Sequence, residues 1–186
     1  MDCDDTTIAG TLVGWIVSSQ EMTSEEQDFC TLKRFEKARP LNITSNMIGD
    51  IPISLVKLYA DGRGIAYDDK YKTDSVICIE KSESTIGGFN CIAELEGNLQ
   101  KHIRGIIKTI LKKLPNGHWM NDDTEALKNW YLSVTGSDSS KARSCVIETR
   151  DSWGGTINSE DMAGCFVKYE AQQILWLLDN FKEELQ

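Results

Sequence analysis

Between residues 92 and 114, apolar side chains recur at the three- and four-residue spacing of an α-helix. The segment Pro115-Asn116-Gly117 follows directly and ends the pattern. This is the strongest periodic element in the chain. It predicts one long helix that buries a stripe of Ile and Leu, formed by Ile92, Leu95, Leu99, Ile103, Ile106, Ile107, Ile110, Leu111 and Leu114.

Three further helices are predicted from capping residues and apolar faces. Residues 23–27 contain two overlapping capping boxes, so a helix should follow them and end before Pro40. Asp122 and Glu125 form a cap-like start for a shorter amphipathic helix. Residues 174–185 carry an apolar face and predict a helix near the end of the sequence.

Seven short apolar or β-branched segments are typical of strands. They are residues 8–18, 53–60, 64–67, 75–80, 85–93, 144–150 and 165–169. Asp61-Gly62 separates two of them and favours a tight hairpin turn. The order β-α-ββ-ββ-α-α-ββ-α predicts an α+β fold with a mainly antiparallel sheet, built from hairpins, and about four helices. We expect a single domain over residues 1–186, with residues 1–40 as an acidic strand-helix segment or a small appendage.

The six cysteines have no spacing that predicts a metal site. They stand at positions 3, 30, 78, 91, 145 and 165, without a CxxC or CxxH pair. The first residues include Asp2, Asp4 and Asp5, where a secretory signal needs basic residues before its apolar stretch. We therefore expect reduced thiols, a cytoplasmic location and no bound metal.

Acidic residues are concentrated at the start of the sequence. The formal net charge is −9, and residues 1–32 contain seven acidic residues and no Lys or Arg. Such asymmetry favours a basic protein partner. Tryptophans in loops are good interface anchors. The residues predicted to bind the partner are Glu21, Glu25, Glu26, Asp28, Trp119 and Trp153.

A second charged surface is predicted on the long helix. Lys101, Arg104, Lys108 and Lys112 fall opposite the apolar stripe on a helical wheel. This basic face fits a solvated surface, a contact with acidic lipids or an acidic protein, or a contact with phosphates. It could also meet the acidic segment of a second copy and produce a homo-oligomer. The negative net charge argues against nucleic acid.

Motifs for catalysis or cofactor binding are absent from the sequence. The strongest candidate for a general base is His118, near Asp122 and Asp123. We predict a non-catalytic protein-binding module, such as an inhibitor, immunity or accessory protein, that needs no cofactor. Two alternatives stay open: a self-associating, matrix-like protein with its basic helix at a membrane, and a hydrolase that uses His118 with Asp122 or Asp123.

Overall fold

The computed structural model describes residues 23–67, 69–114, 120–135, 140–149 and 157–185. Helices dominate these ranges, and the one sheet has two short antiparallel strands. The predicted α+β fold with a mainly antiparallel sheet is therefore wrong. The elements are α1 (Ser24–Lys37), β1 (Met47–Ile48), β2 (Ile51–Pro52), α2 (Ile53–Ala60), α3 (Asp74–Lys81), α4 (Thr85–Lys113), α5 (Met120–Thr135), α6 (Ser140–Glu148), α7 (Ile157–Asn180) and α8 (Lys182–Leu185).

Most of the predicted strands are parts of helices. Residues 53–60 form α2, residues 75–80 lie in α3, and residues 85–93 are the first turns of α4. Residues 144–148 lie in α6 and residues 165–169 lie in α7, whereas residues 64–67 are irregular. Short apolar runs fit a buried helix as well as a strand, which is why their periodicity misled the prediction. The predicted strand at residues 8–18 lies outside the described residues.

The Asp61-Gly62 pair ends a helix and does not form the predicted hairpin turn. Gly62 has a φ of 72°, a left-handed conformation that glycine adopts without steric cost. The Gly62 N–H donates to the Tyr59 carbonyl at 2.8 Å, and the Arg63 N–H donates to the Leu58 carbonyl at 3.1 Å. These two bonds are those of a Schellman motif, so α2 stops here for a local reason.

The core is organised around α4, which packs along α7. Ile103, Ile106, Ile107 and Ile110 are fully buried, as the apolar stripe predicted. The predicted helix at residues 92–114 is therefore confirmed, although it begins earlier, at Thr85. The remaining helices surround this pair: α2 and α6 pack on α7, and α3 packs on α4.

The segment before α2 is attached to α4 by polar contacts. The Thr109 Oγ1 accepts the Leu41 N–H at 2.8 Å and lies 3.1 Å from the Leu41 carbonyl. His102 of α4 contacts the turn between β1 and β2: its Nε2 lies 2.7 Å from Asp50 Oδ1. Its Nδ1 lies 2.6 Å from the Asn98 carbonyl oxygen. The small sheet is thereby held on the long helix.

The cysteines of the described residues are oxidised, so the prediction of free thiols is wrong. Cys78 pairs with Cys91, and Cys145 pairs with Cys165, with Cα atoms 5.9 and 5.7 Å apart. Cys30 is also disulfide-bonded. A cysteine in an apolar segment can be a free thiol in the core or one half of a disulfide. The sequence pattern did not distinguish these two cases. The cytoplasmic location, which was predicted from the acidic start of the sequence, stays a prediction.

Candidate functional site

The loop between α2 and α3 is described at residues 61–67 and 69–73, where hydrogen bonds link distant parts of its backbone. Asp69 accepts the Gly64 N–H at 2.6 Å on one carboxylate oxygen and the Tyr71 N–H at 2.9 Å on the other. The Thr73 hydroxyl donates to the Gly64 carbonyl at 2.6 Å and also caps α3 by accepting the Val76 N–H. These hydrogen bonds connect residues on opposite sides of the loop. They therefore determine where its exposed side chains lie.

Tyr71 lies between two cations on this loop. Arg63 donates from Nη1 to the Tyr71 hydroxyl at 3.1 Å, and Arg63 Cζ is 5.6 Å from the ring centroid. Lys70 Nζ is 5.0 Å from the same centroid. Asp61 holds the other arm of the Arg63 guanidinium, with Nη2 2.5 Å from Oδ2. Tyr71 is therefore held in place by its neighbours.

The same contacts change the acidities of the loop residues. The hydrogen bond from Arg63, helped by the charge of Lys70, lowers the pKa of Tyr71. The backbone N–H groups of Tyr71 and Gly64 lower the pKa of Asp69. Arg63 has a raised pKa because of the Tyr71 hydroxyl and the Asp61 charge. These shifts further stabilise the charged forms that Asp69 and Arg63 have at neutral pH.

A second network adjoins the loop on α6 and α7. The Tyr169 hydroxyl donates to Glu148 Oε1 at 2.6 Å, and Lys168 Nζ donates to Glu148 Oε2 at 2.9 Å. These two donors, Tyr169 first, lower the pKa of Glu148. Lys168 Nζ also lies 5.4 Å from the Tyr169 ring centroid. A Cβ added at Gly62 would be 3.7 Å from Lys168 Cδ, so the loop and α7 are in direct contact.

We call the combined area the tyrosine surface. It contains two networks, one around Tyr71 and one around Tyr169, and each combines a tyrosine with basic and acidic side chains. The neighbouring Tyr67 is 63% exposed. Tyr and Arg are enriched among the residues that dominate binding energy in protein interfaces. The members of the tyrosine surface are Asp61, Arg63, Asp69, Lys70, Tyr71, Glu148, Lys168 and Tyr169.

The predicted acidic site is only partly within the described residues. Glu25 is exposed on the first turn of α1. Glu26 closes the capping box with Thr23, since its Oε2 accepts the Thr23 N–H at 2.8 Å, and Asp28 is half-buried. The capping box was predicted correctly. The predicted partner-binding residues Glu21, Trp119 and Trp153 lie outside the described residues.

The predicted basic face is divided by its environment. Lys101 and Lys112 are exposed, but Arg104 is only 4% exposed and donates to the Tyr131 hydroxyl at 3.2 Å. Lys108 is half-buried, with Nζ 4.5 Å from the Phe35 ring centroid. The four cations therefore do not form one solvated stripe, because α1 and α5 cover part of α4.

The side chains on which the hydrolase alternative depends lie outside the described ones. His118 is outside the described residues, as are the side chains of Asp122 and Asp123 in α5. His102 has both ring nitrogens engaged by hydrogen-bond partners. Across the described ranges, no group of three or more His, Cys, Asp or Glu side chains is arranged to hold a metal ion.

The sequence reading missed the tyrosine surface, although signals were present. Residues 61–73 combine two glycines, two tyrosines and several charges, which is typical of a structured loop. Assigning residues 64–67 to a strand hid this pattern. The contribution of Glu148, Lys168 and Tyr169 has no local signal, because it depends on how α6 and α7 pack beside the loop.

Comparison of the chain with models of protein families, with curated proteins and with solved structures found no match. Within the described ranges, the helices are too short or too polar to cross a membrane.

Proposed function

We propose that the protein is a non-catalytic protein-binding module, in the manner of an inhibitor, immunity or accessory protein, and that it binds through the tyrosine surface. The observation that carries this proposal is Tyr71, held between Arg63 and Lys70 on a loop that Asp69 cross-links. A contact surface that is ordered before binding loses less conformational entropy when the complex forms.

A basic partner fits this surface. The net charge of −9 attracts cations over a distance and accelerates association with a basic protein. At short range, the carboxylate side chains of Asp61 and Glu148 are 57% and 41% exposed. Each can also accept a hydrogen bond from a lysine or arginine of the partner.

The acidic helix α1 has a supporting role in this proposal. Glu25 is exposed and free of the capping role that Glu26 has. We assign it to long-range attraction and the tyrosine surface to direct contact. Glu25→Lys should therefore slow association at low salt by several fold, and the difference should shrink at 0.5 M salt, where the screening length is only a few Å.

The disulfides favour an oxidising compartment over the cytosol as the place of action. Structural disulfides persist in secreted, periplasmic or similar environments, and they are rare where thiols are kept reduced. Two pairs are formed in the described residues, and Cys30 is bonded as well. Alkylation of the protein in intact source cells tests this: a Cys145–Cys165 pair that is reduced in the cell would contradict the proposed location.

Affinity capture with matched variants tests the binding site. The wild-type protein, Tyr71→Ala and Lys112→Ala are immobilised and exposed to an extract of the source cells. A partner that binds at the tyrosine surface should lose affinity by about 30-fold for Tyr71→Ala, the equivalent of a hot-spot residue. Lys112→Ala, on the exposed part of the predicted basic face, should bind normally.

Two results would overturn the proposal. One is equal capture of a partner by all three proteins, and the other is selective loss with Lys112→Ala. Thermal unfolding of each variant provides the folding control, since Tyr71 is half-buried at the surface and outside the described core. The membrane alternative predicts that wild-type protein floats with anionic vesicles; the burial of Arg104 weakens its basis.

A further inference from the structure

A groove of about 580 Å³ lies between α3 and the first turns of α4. Each helix contributes one face to it, at positions i, i+3, i+4 and i+7. The Cys78–Cys91 disulfide joins these two faces. The lining residues are Asp74, Ile77, Cys78 and Lys81 from α3, Ser82 from the connection, and Gly87, Asn90, Cys91 and Glu94 from α4.

The two disulfides of the described residues have different surroundings. Cys145 is fully buried and Cys165 is 8% exposed, and the pair packs with Phe166 in a separate apolar cluster. Cys78, in contrast, is exposed, although its partner Cys91 is 8% exposed. An incoming thiolate must reach one sulfur of a disulfide to react with it, so access controls the rate. The groove gives access to the Cys78–Cys91 pair from the Cys78 side, whereas both cysteines of the other pair are buried.

We propose that Cys78–Cys91 is a reversible thiol–disulfide exchange site and that the groove admits the sulfur of an external thiol. The thiolate attacks Cys78 Sγ, a new S–S bond forms there, and the bond to Cys91 breaks. Cys91 leaves as a thiolate and takes a proton from water. A second external thiolate then attacks the external sulfur, and the Cys78 thiolate is released. Two external thiols are oxidised to a disulfide as the protein pair gains two electrons.

Accessibility favours attack at Cys78, because Cys78 is exposed whereas Cys91 is 8% exposed. Cys91 Sγ lies 3.2 Å from the Gly87 carbonyl oxygen, which can accept the hydrogen bond of a Cys91 thiol after the disulfide opens. Lys81 lines the groove three residues after Cys78, and a nearby cation stabilises a thiolate. Asp74 and Glu94 add negative charge to the same groove, so attraction of the thiolate depends on Lys81.

Opening the disulfide should leave the fold intact. The opposite face of α3 is anchored in the core by Val76, which is fully buried, and Ile79, which is 4% exposed. Thr73 caps the first turn of α3 independently of the cysteines. The reduced protein should therefore keep its helices while the groove changes shape.

The experiment compares the disulfides within one native protein. The protein is incubated with reduced glutathione or with a reduced dithiol oxidoreductase such as thioredoxin, quenched with acid and alkylated, and its cysteines are mapped by mass spectrometry. We expect Cys78 and Cys91 to open at least about tenfold faster than Cys145 and Cys165. Preference for glutathione or for thioredoxin identifies the thiol source, and either supports the site.

Variants separate exchange at the groove from general lability. Ile77→Trp fills part of the groove and should slow exchange several fold, whereas Ile86→Trp, at an exposed position outside the lining, should not. Cys91→Ser, treated with oxidised glutathione, should retain a mixed disulfide at Cys78. Far-ultraviolet circular dichroism should be unchanged after the first disulfide opens.

Three outcomes would overturn the proposal: equal rates for both disulfides, initial attack at Cys91, or reduction that occurs only when the helices are lost. The Cys145–Cys165 pair, with both cysteines buried, is the internal control for unfolding.

Discussion

Leu41 lies directly on Gly105: a Cβ added to the glycine would come within 2.4 Å of Leu41 Cγ. Glycine within a helix costs about 1 kcal/mol relative to alanine. At this position the absence of a side chain lets the segment before β1 approach α4, where the Thr109 hydroxyl accepts the Leu41 N–H. Close packing explains a residue that weakens the helix locally.

Two glycines of α4 should respond in opposite ways to alanine. Gly105→Ala should lower the free energy of unfolding by about 1 to 3 kcal/mol, because Leu41 must move. Gly97→Ala should raise it by about 0.5 to 1 kcal/mol, since an added Cβ at Gly97 meets nothing within 4 Å. Urea unfolding measures both changes. Destabilisation by both substitutions would show that helix geometry, not contact with Leu41, determines the effect.

The loop of the tyrosine surface offers a second matched pair. Gly62 and Gly64 both have a positive φ, at 72° and 73°. A Cβ at Gly64 would lie 2.7 Å from Thr73 Cγ2, whereas one at Gly62 would meet only Lys168 Cδ, at 3.7 Å. Gly62→Ala should cost about 1 kcal/mol from backbone strain alone. Gly64→Ala should cost more, and equal losses in thermal unfolding would contradict the role of the Thr73 contact.

A buried polar network connects α4 to α7. Gln100 Nε2 donates to Glu170 Oε1 at 2.8 Å, and Gln100 and Glu170 are 7% and 1% exposed. Gln100→Leu removes this donor, so we expect a loss of about 1 to 3 kcal/mol in the free energy of unfolding. The same change at the half-exposed Gln173 is the control. A neutral effect of Gln100→Leu would mean that Glu170 is satisfied without the amide.

Acid should weaken the attachment of the small sheet. The hydrogen bond from His102, assisted by a backbone bond, lowers the pKa of Asp50. The stabilisation is therefore complete above the unfolded-state pKa of about 3.9 and is lost as the pH falls through the lower folded-state value. Because the Asp50 side chain is 90% exposed, the effect should be modest.

The Asp50→Asn variant tests this assignment. Its stability should decrease less than that of the wild type between pH 5 and pH 2.5 in urea titrations. Identical pH dependence of the two proteins would show that the Asp50–His102 contact contributes nothing to folding.

The sequence predicted the long helix and the capped start of α1 because both have strong local signals. Nine apolar positions at helical spacing determine α4, and the Thr23–Glu26 box determines the start of α1. Segments such as 75–80 and 165–169 are too short for the spacing of their apolar residues to distinguish a helix from a strand. In the structure α3 packs on α4, and α7 packs on α4 and α6, contacts that no local pattern reports.

The candidate site likewise has some features with a local sequence signal and others that depend on packing. Turn-forming residues in 61–73 are visible in the sequence, and so is the acidic start of α1. The burial of Arg104 is not, because it depends on Tyr131 reaching α4 from α5. A wheel places cations on one side of a helix but does not show which neighbour covers them.

Both described disulfides join cysteines that are neighbours in sequence order, 13 and 20 positions apart. Each loop closes within one pair of adjacent helices, so its entropic cost is small and its partner is the nearest one available. During synthesis, Cys78 can meet Cys91 before the later pair has left the ribosome. Correct pairing can thus follow chain order, and few incorrect partners compete at each step.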